Sequence, residues 1–145
     1  DLIPFMLYDQ KPSYYILGGL VFQPLTGNYL RAWGESWSHC APKNLLYHYN
    51  FGKQTKDQSQ IVILNKVLPH YVNKGYQQYQ NLIVTKVNDK NIGSMQDFIE
   101  AIENSNCQYF QISTDEGINI ILDRKQIDDS KSEILNRYMI SSYKN

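Results

Sequence analysis

The sequence is short of cysteine, histidine, arginine and net charge, and each shortage closes a class of function. Cys40 and Cys107 are the two thiols in 145 residues. They have no CxxC spacing, and His39, His48 and His70 stand apart, so no zinc-type ligand set can be read from the chain. One disulfide in an oxidising compartment and two unpaired, partly buried thiols both fit, the second the better, because spacing alone cannot bring two cysteines within bonding distance. Lys plus Arg is 14 and Asp plus Glu is 14. A domain that grips phosphate backbones carries a basic excess, so nucleic-acid binding is not expected; the same balance argues against an acidic disordered tail. No apolar run approaches the roughly 20 residues that cross a bilayer, so no transmembrane span is expected. The start, Asp1-Leu2-Ile3-Pro4, has no initiator Met, basic region or cleavage pattern, and reads as a cut inside a longer protein.

What is present is enough apolar material for one core: 42% hydrophobic residues in a chain of single-domain length, with 12 Tyr, 5 Phe and 2 Trp. The Tyr excess has two readings, half-buried rings whose hydroxyls reach water and a protein-binding surface. Tyr14 to Phe22 is a continuous β-prone run with Gly18-Gly19 in its middle, suited to a strand buried on both faces or a loop leading into one. Thr26 can cap a short helix holding Tyr29, Leu30 and Trp33 that Gly34 stops, and Pro42 opens a helix carrying Leu45, Leu46 and Tyr49 up to Gly52. Further on the period changes. Ile61 to Leu68 reads as a strand ended by Pro69, and Asn73-Lys74-Gly75-Tyr76 as a turn with Gly75 at positive φ. Leu82 to Val87 alternates into an Asn88-Asp89-Lys90-Asn91 turn. Ser94 and Asp97 make a capping pair for a helix with Met95, Phe98, Ile99 and Ile102 on one stripe. Tyr109 to Ser113 and Ile118 to Leu122 read as a hairpin, and Ile127 to Tyr138 as a last amphipathic helix. The fold class is α+β and β-rich.

Residues 60–123 resemble a PDZ domain in the strand order of the HtrA/Deg-type, DegP-like serine proteases. Ile61 to Pro69, Leu82 to Lys90, and Ile92 with Ser94, Asp97 and Phe98 carry the resemblance. Asn88-Asp89 stands where a PDZ domain usually has Asn-Gly. The blocks Gly19-Leu20-Val21-Phe22-Gln23-Pro24-Leu25-Thr26, Tyr29-Leu30, Asn73 to Tyr76 and Leu122 to Lys125 are similar to the second, C-terminal PDZ domain of long Deg proteases, a type also found in plant organelles. The resemblance implies a PDZ-like, partly open β-barrel or sandwich of five to six strands, with two or more flanking helices and a helical insert. It implies a linker over 1–13, a PDZ-like domain over 14–126 with the insert at 25–59, and a C-terminal helix and tail over 127–145. The compartment would be the periplasm or cell envelope for a bacterial protease and an organelle for a eukaryotic one.

In that family the Ser, His and Asp of catalysis lie in an upstream trypsin-like domain. This chain agrees on its own terms, with no Gly-x-Ser-x-Gly or Gly-Asn-Ser-Gly-Gly segment. His39 beside Cys40 is not a working dyad, because neighbours in an extended chain point opposite ways. The expectation is a non-catalytic module of a serine endopeptidase in protein quality control, needing no cofactor and no metal. A PDZ domain receives an extended peptide as an added strand, its carboxylate held by the amides of a glycine-containing loop. Carried over, the loop is Ile16-Leu17-Gly18-Gly19, the receiving strand Leu20-Val21-Phe22, and the helix wall includes Phe98 and Ile102. Against that stands the insert, too apolar for a free loop, with Tyr29, Trp33, Trp37, Tyr47 and Tyr49 as candidate interface residues and Phe51 beside them. Two functions therefore compete: a regulatory module for oligomer assembly, whose partners are other domains or subunits of the same protease, and a capture module for peptide or unfolded-protein C-termini.

Overall fold

Gly18 and Gly19 split the first apolar run into a hairpin rather than one long strand. Both have positive φ, 58° and 87°, the pair of angles a two-residue type I′ turn requires. The computed structural model describes Ile3 and residues 13–52 and 54–145. The linker expected over 1–13 falls, apart from Ile3 and Ser13, outside the described residues, as does the side chain of Phe51. Strand β1 (Tyr15–Leu17) turns back into β2 (Leu20–Pro24). Then follow β3 (Val62–Val67), β4 (Leu82–Val87), β5 (Lys90–Asn91), β6 (Tyr109–Thr114) and β7 (Asn119–Asp123).

All pairings are antiparallel, in the order β1-β2-β3-β4-β6-β7 with the short β5 beside β4. Seven strands are present among the described residues, against five to six expected. Two of the seven, β1 and β5, come from the hairpin split and from the Asn88-Asp89 turn, whose φ of 49° and 66° lets β5 fold straight back on β4. The sheet is open, and its register shifts in two places, between Val21 and Phe22 of β2 against β3 and between Val84 and Lys86 of β4 against β6.

One face of this sheet packs on α4 (Met95–Glu103) and α5 (Arg124–Arg137). Ser94 caps α4 by accepting from the Asp97 N–H at 3.0 Å, while the Asp97 carboxylate accepts from Gly93 N–H at 3.0 Å. That cap points Met95, Phe98, Ala101 and Ile102 inward against Leu20, Phe22, Leu64, Val84, Ile112 and Leu122. Helix α5 starts three residues earlier than its apolar period indicates, because Asp123 accepts from the Gln126 N–H and sets the first turn. Ile127 and Ile134 anchor it.

The opposite face of β3 and β4 belongs to the insert. Thr26 caps α1 (Gly27–Leu30), a 3-10 turn over Arg31–Trp33 ends at Gly34, α2 covers Trp37–Cys40, and α3 covers Lys43–Phe51. Leu25, Leu30, Ala41 and Leu45 bury against Ile61, Ile63 and Ile83, with Ile3 in the same cluster. Cys40 and Cys107 are free and exposed. Among the described residues no helix is long and apolar enough to cross a membrane, and no group of three His, Cys, Asp or Glu could hold a metal ion.

Candidate functional site

The hairpin fixes what the glycine loop can do. Gly18 carbonyl accepts from Asn73 Nδ2 at 2.8 Å, and Gly19 carbonyl accepts from Leu68 N–H at 2.7 Å. Asn73 is fully buried; its second amide contact is Leu68 carbonyl, and its Oδ1 accepts from His70 N–H and Gln77 Nε2. One side chain thus clamps the turn to the 68–77 segment. Gly19 allows that closeness: a Cβ there would lie 2.5 Å from both Asn73 Nδ2 and Leu68 O. Beside the clamp, His70 is buried and accepts from Val72 N–H at Nδ1, leaving the ring proton on Nε2, 3.1 Å from Glu133 of α5.

Helix α5 lies over the turn. The hollow between Gly18-Gly19 and Ile127, Lys131, Ile134 and Tyr143 encloses about 10 Å³. That is room for one water and far short of a peptide carboxylate with its flanking residue.

The rest of the expected groove divides between the two faces of the sheet. Leu17, Leu20, Phe22, Phe98 and Ile102 come together in the main core. The Phe22 and Phe98 rings are 4.5 Å apart, and both side chains are 0% exposed. Ile16 and Val21 pair with each other and line a separate open groove with Tyr14, Leu68 and Ile140. Strand β2 has β3 on one side and β1 on the other. The edge of β2 that an added strand would take is occupied by β1 itself. Tyr15 meets Phe98 edge-on at 5.9 Å and donates to Glu103 Oε2 at 3.2 Å, at the end of α4. Burial and the Glu103 carboxylate raise the Tyr15 pKa well above the ordinary tyrosine value.

The insert aromatics form two edge-to-face pairs, Tyr29–Trp33 at 5.4 Å and Trp37–Tyr49 at 5.2 Å, all four half-buried. The Tyr29 hydroxyl sits between the side-chain amides of Asn65 and Asn81, and burial pushes its pKa up to about 12. Tyr47 points away, with 61% of its surface exposed. Arg31 lies 5.7 Å from the Trp37 ring centre. The structure therefore packs Tyr29, Trp33, Trp37 and Tyr49 against the insert cluster and leaves Tyr47 mostly exposed. Sequence reasoning passed over Tyr15, Asn73 and Glu103. Tyr15 was hidden inside an apolar run, and only the fold brings Asn73 and Glu103, 55 and 88 positions from their partners, to the hairpin.

A family model described as PDZ domain matches residues 3–144. The chain belongs to the PDZ domain family. It is 31% identical over 142 residues to putative protease Do-like 3, mitochondrial, of Arabidopsis thaliana, covering 97% of this chain and 23% of that protein. It is 28% identical over 141 residues to protease Do-like 2, chloroplastic, of the same organism, covering 97% and 23%. It is 33% identical over 96 residues to a serine protease DegP homolog of Plasmodium falciparum, covering 66% and 10%. The PDZ domain thus spans less than a quarter of the length of these relatives. Its match takes up nearly all of the chain and leaves no room there for a protease domain. The chain is a non-catalytic interaction module of the kind found in HtrA/Do-like proteases.

Proposed function

We propose that this PDZ domain serves a Do-like serine endopeptidase as a module for assembly and regulation, docking on other domains or subunits of the same protease through the aromatic face of the insert. The observation that carries the reading is the filled groove: β1 pairs on the edge of β2 with Tyr15 against Phe98 and Glu103 of α4, and α5 covers the glycine turn. Strand addition needs an open edge, and the edge of β2 is taken by β1, while Asn73 and Leu68 tie down the Gly18 and Gly19 carbonyls. On this reading Ile16 to Phe22, Phe98 and Ile102 hold the hairpin in place, and Tyr47, Trp37 and Trp33 meet the partner. Tyr and Trp suit that role because they offer large, stiff, amphipathic contact area.

Two experiments on the isolated chain test it. Titration with free-carboxylate peptides is expected to give no saturable binding that C-terminal amidation abolishes. Sedimentation is expected to show concentration-dependent association that Tyr47→Asp weakens. Carboxylate-dependent binding lost in Leu20→Lys, with a monomer at all concentrations, would overturn the reading in favour of peptide capture.

A further inference from the structure

After α5 the chain turns back and lays a short segment along the outer edge of β1. Met139 takes a φ of 55°, a left-handed conformation usually left to Gly or Asn, and Ile140 N–H reaches Leu135 carbonyl at 2.8 Å, closing the helix end. Residues 143–145 then run antiparallel to β1. Ile16 N–H donates to Tyr143 carbonyl at 2.7 Å and Asn145 N–H to Tyr14 carbonyl at 3.2 Å, around a Tyr15–Lys144 bridge. Side chains add a pattern to this pairing. The Tyr143 ring meets Tyr15 edge-on at 5.4 Å, with Lys131 Nζ 4.1 Å from its centre. Lys144 Nζ lies 3.0 Å from Glu103 Oε2, and the same oxygen accepts from Tyr15.

We propose that the outer edge of β1, with Tyr15, Lys131 and Glu103 beside it, is a strand-docking site for an extended peptide carrying an aromatic residue followed by a lysine. Segment 142–145 is its resident, displaceable occupant. Four features support exchange: two main-chain hydrogen bonds hold the segment, its ion pair is solvent-exposed, its hinge is strained, and the edge beneath it is a complete strand. The pattern recognised follows from charge: Glu103 complements a lysine, and Tyr15 with Lys131 brackets an aromatic ring. The site uses the edge of β1 rather than the expected receiving strand β2, lies away from the insert face and does not depend on the assembly reading.

The test is an NMR titration of the 145-residue chain with acetylated Ser-Ser-Tyr-Lys-Asn, the sequence of residues 141–145. In the unmodified chain the resident segment competes. Lys144→Glu sets a carboxylate against Glu103 and opens the edge, so that variant is expected to bind the peptide at least tenfold more tightly, with the Ile16 amide shifting. Adding Glu103→Lys restores the internal pair and is expected to abolish binding. Equal affinity of Lys144→Glu and unmodified chain would overturn the proposal. So would equal affinity for a peptide with alanine in place of lysine, or shifts centred on Tyr47. Loss of the Phe110 and Ile112 amide signals in Lys144→Glu would do the same, since the segment would then be part of the fold rather than an exchangeable occupant.

Discussion

The two faces of the sheet are built differently. On the α4 side, strands alternate and one helical stripe meets them, so Leu20, Phe22, Leu64, Phe98 and Ile112 are all sealed and every buried polar side chain has a partner among the described residues. On the insert side, short helices carry the packing, and Tyr29, Trp33, Trp37 and Tyr49 are sealed on one edge only. The first face is closed even where a PDZ groove would be. The second stays wet, aromatic and unfinished. The partner surface proposed above therefore lies with the insert, although the family's expected site lies with the strands.

The largest effect expected is at the centre of the closed face. Phe98→Ala should cost about 3–5 kcal/mol in urea unfolding, because its ring is fully buried against Phe22 and Tyr15. A loss below about 1 kcal/mol would show that α4 packs some other way. On the insert side, Leu45→Ala should cost about 2–4 kcal/mol within one cooperative transition, since Leu45 is sealed against the back of the sheet. A separate early transition would mean that the insert folds apart from the strands, and the contrast between faces would become one between domains.

Gly75→Ala should cost about 1 kcal/mol. Its φ is 96° with open space around it, so only backbone strain acts. An unchanged melting temperature would count against the left-handed turn. Tyr47→Ala should change stability by less than about 0.5 kcal/mol while weakening association, because the ring is mostly in water.

Alkali should act on both faces. Tyr15 and Tyr29 are held neutral in the fold, with pKa raised above the unfolded value near 10. A raised folded pKa stabilises below the unfolded one, and that contribution fades as pH climbs, for Tyr29 between about 10 and about 12. Tyr29→Phe should flatten its part of that decline in pH-dependent melting. An identical curve would show that its hydroxyl stays solvated.

Much of this was legible in the sequence because periodic segments report their own surroundings. Ser94 capping α4, the stripe ending at Ile102, the Asn88-Asp89 turn, positive φ at Gly75 and Thr26 capping the first insert helix all follow from residue types at fixed offsets. The hairpin at Gly18-Gly19 was not legible as a hairpin. A nine-residue apolar run fits one buried strand as well as two short ones, and the choice was made by Asn73, 55 positions away. Helix α2 was missed for a related reason: four residues cannot display a helical period. The thiols, whose pairing spacing could not decide, are free and are exposed rather than partly buried.

The most direct test of the account places a photo-crosslinking residue at Tyr47 or at Val21 in the full-length protein proposed to be a Do-like protease. Crosslinks from position 47 to another domain or subunit, with none from 21 to added C-terminal peptides, are predicted. Peptide crosslinks from 21 with a silent position 47 would contradict the account.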